Sequence, residues 1–138
     1  MKIVILISAV IVITIQFIQV DRTNPKVESE LKAPKEVLTI LKRACYDCHS
    51  NETKWPWYSK IAPISWLVFR DVDKGREYLN FSKWDGLTKE GQNYSKNSII
   101  EQISKDRMPL WIYKIGHSDA KLSKSDKDIL IKWATMKN

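Results

Sequence analysis

The sequence has no block of lysine and arginine residues, although its basic residues outnumber its acidic ones by 23 to 16. The net charge of +7 and the isoelectric point near 9.4 arise from residues scattered along the chain. Nucleic-acid-binding segments usually carry a clustered basic tract, so no nucleic-acid partner is predicted. The scattered charge fits either an ordinary solvated surface or a face that docks an acidic protein partner or anionic lipid.

Internal repeats, low-complexity tracts and convincing stretches of alternating apolar and polar residues are also missing. Because a half-buried strand would show that alternation, the soluble part of the chain is predicted to be all-α. A length of 138 residues accommodates one domain of ordinary size plus an appendage, and leaves no room for a second catalytic domain.

Cysteine is scarce, and the two cysteines of the chain belong to one motif. Residues 45–49 read Cys-Tyr-Asp-Cys-His, which is the C-x-x-C-H pattern of c-type haem attachment. Two thiols three positions apart on a helical turn can each add to one vinyl group of the same porphyrin, and the adjacent imidazole of His49 then falls under the iron. Cys45 and Cys48 are therefore predicted to bind one haem c covalently, and no structural disulfide is predicted.

Paired cysteines also occur in dithiol redox sites and in zinc sites. Thioredoxin-like chemistry is expected in a βαβ context, which this sequence lacks. Zinc would need further Cys or His ligands beyond His49 and the distant His117. Neither alternative is favoured.

Two residues compete to be the second axial ligand of the iron. Met108 directly precedes Pro109, in an extended segment that could lay a thioether across the open haem face. His117 also lies outside any predicted helix, and an open or water-bound site is the third possibility. A thioether raises the reduction potential and favours electron transfer, whereas a second imidazole normally gives a lower potential. Met108 is preferred, because core methionines usually lie on a helical stripe.

An almost unbroken apolar run covers residues 3–20. As a helix these roughly 18 residues would be about 27 Å long, close to the hydrocarbon thickness of a bilayer. Because no small-x-small cleavage site follows the run, residues 1–20 are predicted to be an uncleaved membrane anchor rather than a cleaved signal peptide. Covalent haem attachment takes place outside the cytoplasmic membrane. The expected location is thus a single-pass protein of the bacterial inner membrane, with its haem domain on the periplasmic side.

The remainder of the chain divides into a polar tether over residues 21–33 and a haem-binding domain over residues 34–138. Apolar residues at helical spacing predict one helix from Pro34 to about Cys45 and a second after Pro63. A third is predicted from about Ser95 to Lys105, and a fourth after the capping sequence at residues 123–126.

Aromatic and basic residues near the motif offer further contacts to a porphyrin. Six tryptophans are present, and four of them, at positions 55, 57, 66 and 84, precede Met108 and could wall the haem. Ordinary core filling explains any one of them equally well. Arg70, Arg76 and Arg107 are candidates to pair with the haem propionates, because guanidinium matches carboxylate geometry.

Residues 45–133 resemble the bacterial membrane-anchored haem-binding domain family of small c-type cytochromes. The likeness rests on the following elements: Cys45-Tyr46-Asp47-Cys48-His49-Ser50-Asn51, Trp55-Pro56-Trp57-Tyr58, Ile61-Ala62-Pro63-Ile64-Ser65-Trp66, Asp71-Val72, Gly75-Arg76, Leu79-Asn80-Phe81-Ser82, Met108-Pro109, Tyr113, His117, Leu122 and Trp133. The order of helix, C-x-x-C-H, Met-Pro and terminal helix is also similar to class I cytochromes c. That similarity implies an all-α cytochrome fold and ligation of iron by His49 and Met108, although Leu110 stands where a second proline is more usual.

The function predicted from these features is that of a membrane-tethered periplasmic monohaem cytochrome, not an enzyme, which carries single electrons between redox protein partners. The alternative is a haem-based sensor or a peroxidase-like enzyme. That alternative needs an open or displaceable axial site and a distal acid or base, for which the sequence offers only His117.

Overall fold

The structure, a computed structural model, describes residues 1–136 of the chain, so positions 137 and 138 of the predicted haem domain lie outside the described part. The described residues form seven α-helices: α1 Lys2–Ile15, α2 Lys35–Ala44, α3 Tyr46–His49, α4 Ile64–Tyr78, α5 Lys89–Ser104, α6 Tyr113–Gly116 and α7 Lys124–Thr135. Over the same range, the one strand-like pairing is an isolated bridge between Ser29 and Lys83. The predicted all-α class is confirmed.

The four predicted helices of the domain are confirmed as α2, α4, α5 and α7. α2 ends directly before the C-x-x-C-H motif, as predicted. Its apolar residues Val37 and Leu41 recur at helical spacing and lie on one buried face. α5 begins earlier than predicted, at Lys89, because the hydroxyl of Thr88 accepts a hydrogen bond from the amide of Gly91 and caps the helix.

The hydrophobic core lies where α2, α5 and α7 meet the segment around Phe81. Its buried side chains include Leu31, Val37, Ile40, Leu41, Tyr46, Phe81, Trp84, Ile99, Ile103, Leu130 and Trp133. This core therefore supports α3, which follows α2 directly. Residues 21–33 lie against the same domain, since the amides of Glu28 and Ser29 both donate to the carbonyl of Ser82.

The predicted transmembrane helix is wrong. α1 ends at Ile15, so it is about 21 Å long and shorter than the roughly 30 Å that a span requires. The chain leaves the helix there because the Gln16 side chain pairs with the backbone of Ala62, donating to its oxygen at 3.1 Å and accepting from its amide at 3.0 Å. Over residues 1–136, no helix has the length and apolar character needed to cross a membrane. The predicted single-pass location in the inner membrane is corrected accordingly.

The N-terminus of α7 carries the predicted capping arrangement. The Ser123 hydroxyl accepts from the amide of Asp126 at 3.1 Å, and the Asp126 carboxylate accepts from the Ser123 amide at 2.8 Å. Arg43 of α2 forms a salt bridge to the same carboxylate at 3.0 Å. Burial raises the pKa of Asp126, but the Ser123 hydrogen bonds and the Arg43 charge outweigh it and hold the pKa below its ordinary value.

Replacing Asp126 by asparagine should lower the free energy of unfolding at pH 7 by about 1 kcal/mol. A carboxyl whose pKa is lowered by folding contributes stability above its unfolded pKa, and this stability is lost as the pH falls through the folded pKa. The difference between the parent and Asp126→Asn should therefore shrink on acidification below about pH 4. Denaturant unfolding across this pH range measures it. Asp128→Asn, an exposed change in the same helix, is the control, and an equal loss in both variants would contradict the prediction.

Candidate haem site

An open cavity of about 460 Å³ lies between the C-x-x-C-H motif, α4, α5 and the segment around Met108. This volume is within the range of about 300–1,000 Å³ that is usual for ligand pockets. The cavity wall includes Cys45, Cys48, His49 and Met108. Four residues predicted from sequence to hold a haem are thus brought to one cavity, although Met108 is distant from the other three in the chain.

His117, the alternative axial ligand, is not part of the cavity wall. Its ring stacks on the ring of Tyr113 at a centroid distance of 4.1 Å and an interplanar angle of 13°. The Tyr58 ring meets it edge-on at 6.3 Å. His117 therefore lies behind a tyrosine that lines the cavity.

The two cysteines lie on the turn that the motif was expected to form. The amides of Cys48 and His49 both donate to the carbonyl of Cys45, at 3.2 and 2.9 Å, and close the first turn of α3. Both thiols are free. Burial raises the pKa of each to about 12, with a further contribution from Cys48 at Cys45 and from Asp47 at Cys48. Over residues 1–136 the fold also lacks the βαβ context expected of a thioredoxin-like dithiol site.

Two backbone carbonyls fix the ring of His49 and its tautomer. Its Nδ1 lies 2.8 Å from the carbonyl oxygen of Gly75 and 3.1 Å from that of Leu79. Carbonyl oxygens only accept hydrogen bonds, so Nδ1 carries the proton and Nε2 keeps a free lone pair. Burial lowers the pKa of His49, which keeps the ring neutral. Metal-binding histidines commonly donate their other ring N–H to a carbonyl in this way.

Gly75 allows α4 to approach the motif closely enough for that hydrogen bond. A Cβ built at this position would lie 2.3 Å from the carbonyl oxygen of Cys48, far inside van der Waals contact. The sequence signal for this contact is a lone glycine inside an amphipathic helix, which often indicates close packing. The glycine does not end α4, since the helix continues to Tyr78.

Arg76 forms hydrogen bonds to residues next to the motif and is not part of the cavity wall. Its Nε donates to the carbonyl of Ser50 at 2.9 Å, and its Nη2 donates to the Asn24 side chain and the Thr53 hydroxyl, both at 2.8 Å. Arg70 forms a salt bridge to Asp71 at 3.2 Å. Neither these two arginines nor Arg107 is part of the cavity wall, so the expected propionate contacts are not found; Lys74 is the basic residue on that wall.

The aromatic wall consists of tyrosine and phenylalanine rather than tryptophan. None of the six tryptophans lines the cavity, whereas Phe81 and the tyrosines Tyr78, Tyr94 and Tyr113 do. Trp84 is buried in the hydrophobic core instead. Sequence reasoning missed the polar stripe of α5, although helical spacing alone relates its members: Tyr94, Ser95, Ser98 and Gln102.

The residues of the site fit a haem. Haem iron accepts imidazole and thioether ligands, and the cavity presents both together with two thiols against a largely apolar wall. Residues 1–136 contain no group of three or more His, Cys, Asp and Glu side chains placed to hold a metal ion directly.

An all-α domain with this set of donors belongs to the class of haem-binding proteins. Residues 10–136 match the family model of the haem-binding domain, so the chain is a member of the haem-binding domain family, as its motifs predicted. Curated proteins gave no match to the chain. Solved structures gave none either.

Proposed function

We propose that this chain is a monohaem c-type cytochrome that carries single electrons between redox protein partners. When bound, haem supplies a one-electron couple, Fe(III) to Fe(II), and the protein sets its potential through ligands and burial. The observation that carries the proposal is the meeting of Met108 with the C-x-x-C-H motif at one cavity. Cys45 and Cys48 would hold the porphyrin as thioethers, each S–H adding across one vinyl C=C bond.

His49 and Met108 are the proposed axial ligands. Support for His49 comes from its Nδ1 hydrogen bonds to Gly75 and Leu79, which leave Nε2 available. Support for Met108 comes from its place on the cavity wall, and His117 is absent from that wall. With both axial positions filled by protein groups, the centre favours electron transfer over ligand binding or peroxide chemistry.

The proposed partners are redox proteins with an acidic docking face. The net charge of +7 would attract such a face and accelerate its diffusional encounter with this chain. The sensor or peroxidase-like alternative is less well supported, because His117, its candidate distal acid or base, lies outside the cavity.

Replacing Met108 by alanine should abolish the weak far-red charge-transfer band of sulfur-ligated ferric haem and lower the reduction potential, because a thioether stabilises Fe(II). The measurement is the ferric and ferrous absorption spectrum of the full chain matured in a host that attaches c-type haem. Met136→Ala is the matched control, since Met136 is half exposed and outside the cavity. It should keep the band.

Three outcomes of this experiment have different meanings. Haem that resists acid extraction in both variants would show that attachment survived the change, so that the spectra report ligation alone. A band that persists in Met108→Ala would overturn ligation by Met108. High-spin ferric iron in the parent protein would favour the alternative with an open axial site.

A further inference from the structure

The hydroxyl of Tyr113 donates a hydrogen bond to the Asp47 carboxylate, with 2.7 Å between Oη and Oδ2. Asp47 is the second variable residue of C-x-x-C-H, and its other carboxylate oxygen accepts from the amide of Lys54 at 3.0 Å. The carboxylate is thus anchored on the motif side and offers a fixed acceptor to Tyr113. Hydrogen bonds to an ionised acceptor are about twice as strong as those between neutral groups.

Tyr113 stands five positions after Met108 in the sequence and is the first residue of α6. Its ring lines the same cavity as the Met108 side chain. On its other side the ring is covered by His117, which stacks at 4.1 Å and whose amide donates to the Tyr113 carbonyl at 3.1 Å. Burial and the bond to Asp47 raise the pKa of Tyr113 above its ordinary value, so the phenol keeps its proton to donate.

Few other polar contacts hold this segment. The amides of Arg107 and Met108 donate to the carbonyl of Gln102, at 2.9 and 3.4 Å, which ties the start of the segment back to α5. Among the described residues, Tyr113 to Asp47 is the one hydrogen bond that joins residues 108–117 to α3. This hydrogen bond therefore connects the segment that carries Met108 to the turn that carries Cys48 and His49.

We propose that the Tyr113–Asp47 hydrogen bond, backed by the ring of His117, is a latch that holds Met108 at the haem cavity. The inference rests on the proposed function, since it assigns Tyr113 as the positioning residue of the proposed Met108 ligand. With the latch closed, the Met108 thioether would stay at the cavity and compete with outside ligands for the haem iron. With the latch open, residues 108–113 would move away from the cavity, and a small nitrogenous ligand could bind the iron instead.

Replacing Tyr113 by phenylalanine tests the latch, because the change removes one oxygen and keeps the ring. Imidazole titrated into the ferric haem protein should displace the thioether, and the loss of the far-red band measures its apparent affinity. Loss of a hydrogen bond to a charged group should tighten imidazole binding by roughly 10- to 100-fold. The reason is that Met108 would be bound to the iron in a smaller fraction of the molecules, so imidazole would compete with it less. His117→Leu, which removes the stacked ring and keeps the hydrogen bond, should give a smaller increase.

Trp111→Phe is the control. Trp111 lies in the same segment as Met108 and Tyr113, but it is 70% exposed and is not part of the cavity wall. Its replacement should leave the imidazole affinity within about twofold of the parent, because a surface change away from a specific contact has little effect. Equal affinities in Tyr113→Phe and Trp111→Phe would overturn the latch.

Hydrogen exchange separates failure of the latch from failure of the proposed ligation. In Tyr113→Phe, amides of residues 110–117 should exchange faster while those of α2 and α7 keep their protection, which a general loss of stability would not produce. If Met108→Ala left the ferric spectrum unchanged, ligation by Met108 would fall. Faster local exchange in Tyr113→Phe would then still show that Tyr113 holds the segment, and unchanged exchange would overturn that as well.

Discussion

Replacing Gly75 by alanine should lower the free energy of unfolding by about 3 kcal/mol and reduce the fraction of the protein that matures with haem attached. The added Cβ would lie 2.3 Å from the carbonyl oxygen of Cys48 and 3.1 Å from its Cβ, so α3 and α4 must move apart. That movement also breaks the contact between the Gly75 carbonyl and Nδ1 of His49. Helix propensity alone predicts the opposite sign, since alanine is favoured over glycine by about 1 kcal/mol inside a helix.

Gly91→Ala provides the matched control for this prediction. A Cβ at Gly91 would lie 3.5 Å from the Leu87 Cβ and from the Thr88 hydroxyl, which is ordinary van der Waals contact. We expect this variant to be as stable as the parent or slightly more stable, and to mature with the parental haem content. Denaturant unfolding and the ratio of haem to protein absorbance measure both properties. A Gly75→Ala protein with parental stability and haem content would show that the contact between the two helices is dispensable.

Replacing Phe81 by alanine should cost about 3–5 kcal/mol of stability, the usual range for deleting a buried phenylalanine. Phe81 is 1% exposed, and its ring stacks against Tyr46 at 5.1 Å and Trp84 at 6.1 Å. Its amide donates to the carbonyl of His49 at 2.8 Å. The resulting void would join the haem cavity, because Phe81 also forms part of the cavity wall. The fraction of the protein that matures with haem attached should therefore decrease together with stability.

Two further variants separate the stability that Phe81 contributes through core packing from any effect of removing an aromatic side chain from the cavity wall. Phe81→Leu keeps most of the buried volume and should cost less than half as much as Phe81→Ala. Tyr78→Ala removes another aromatic side chain from the wall, but one that is 81% exposed, so its effect on unfolding should be small. Thermal or denaturant unfolding of the three proteins measures this order. Equal losses in Phe81→Ala and Tyr78→Ala would contradict the argument from packing.

The parts of the fold that depend on local signals could be predicted from sequence. The capping box at Ser123 fixes the start of α7, and the apolar stripe through Val37 and Leu41 fixes α2. Because α2 is placed correctly, so is the C-x-x-C-H motif that follows it. The N-terminal helix was predicted too long, because an apolar run carries no stop signal of its own. Its end depends on the pairing of Gln16 with Ala62, residues 46 positions apart.

The donors proposed for the site could be predicted from sequence, whereas the contacts that support them could not. Thiol, imidazole and thioether are recognisable by residue type and spacing, and the cavity brings Met108 to the C-x-x-C-H motif. The bond from Tyr113 to Asp47 joins residues 66 positions apart, and the Arg76 side chain reaches back to Asn24, 52 positions away. Such contacts follow from tertiary packing, and a single sequence has no local pattern that reports them.

The hydrogen bonds of His49 also give α4 an electrostatic influence on the site. The Gly75 and Leu79 carbonyls that accept from His49 belong to the last turn and C-cap of α4. This end of a helix carries about half a negative charge. In the proposed electron carrier, that partial charge would favour the ferric state, which has one more positive charge, whereas the Met108 thioether favours the ferrous state. In that proposal α4 would act as a fixed counter-charge to the iron, and the reduction potential would reflect the balance between a helix end and a sulfur atom.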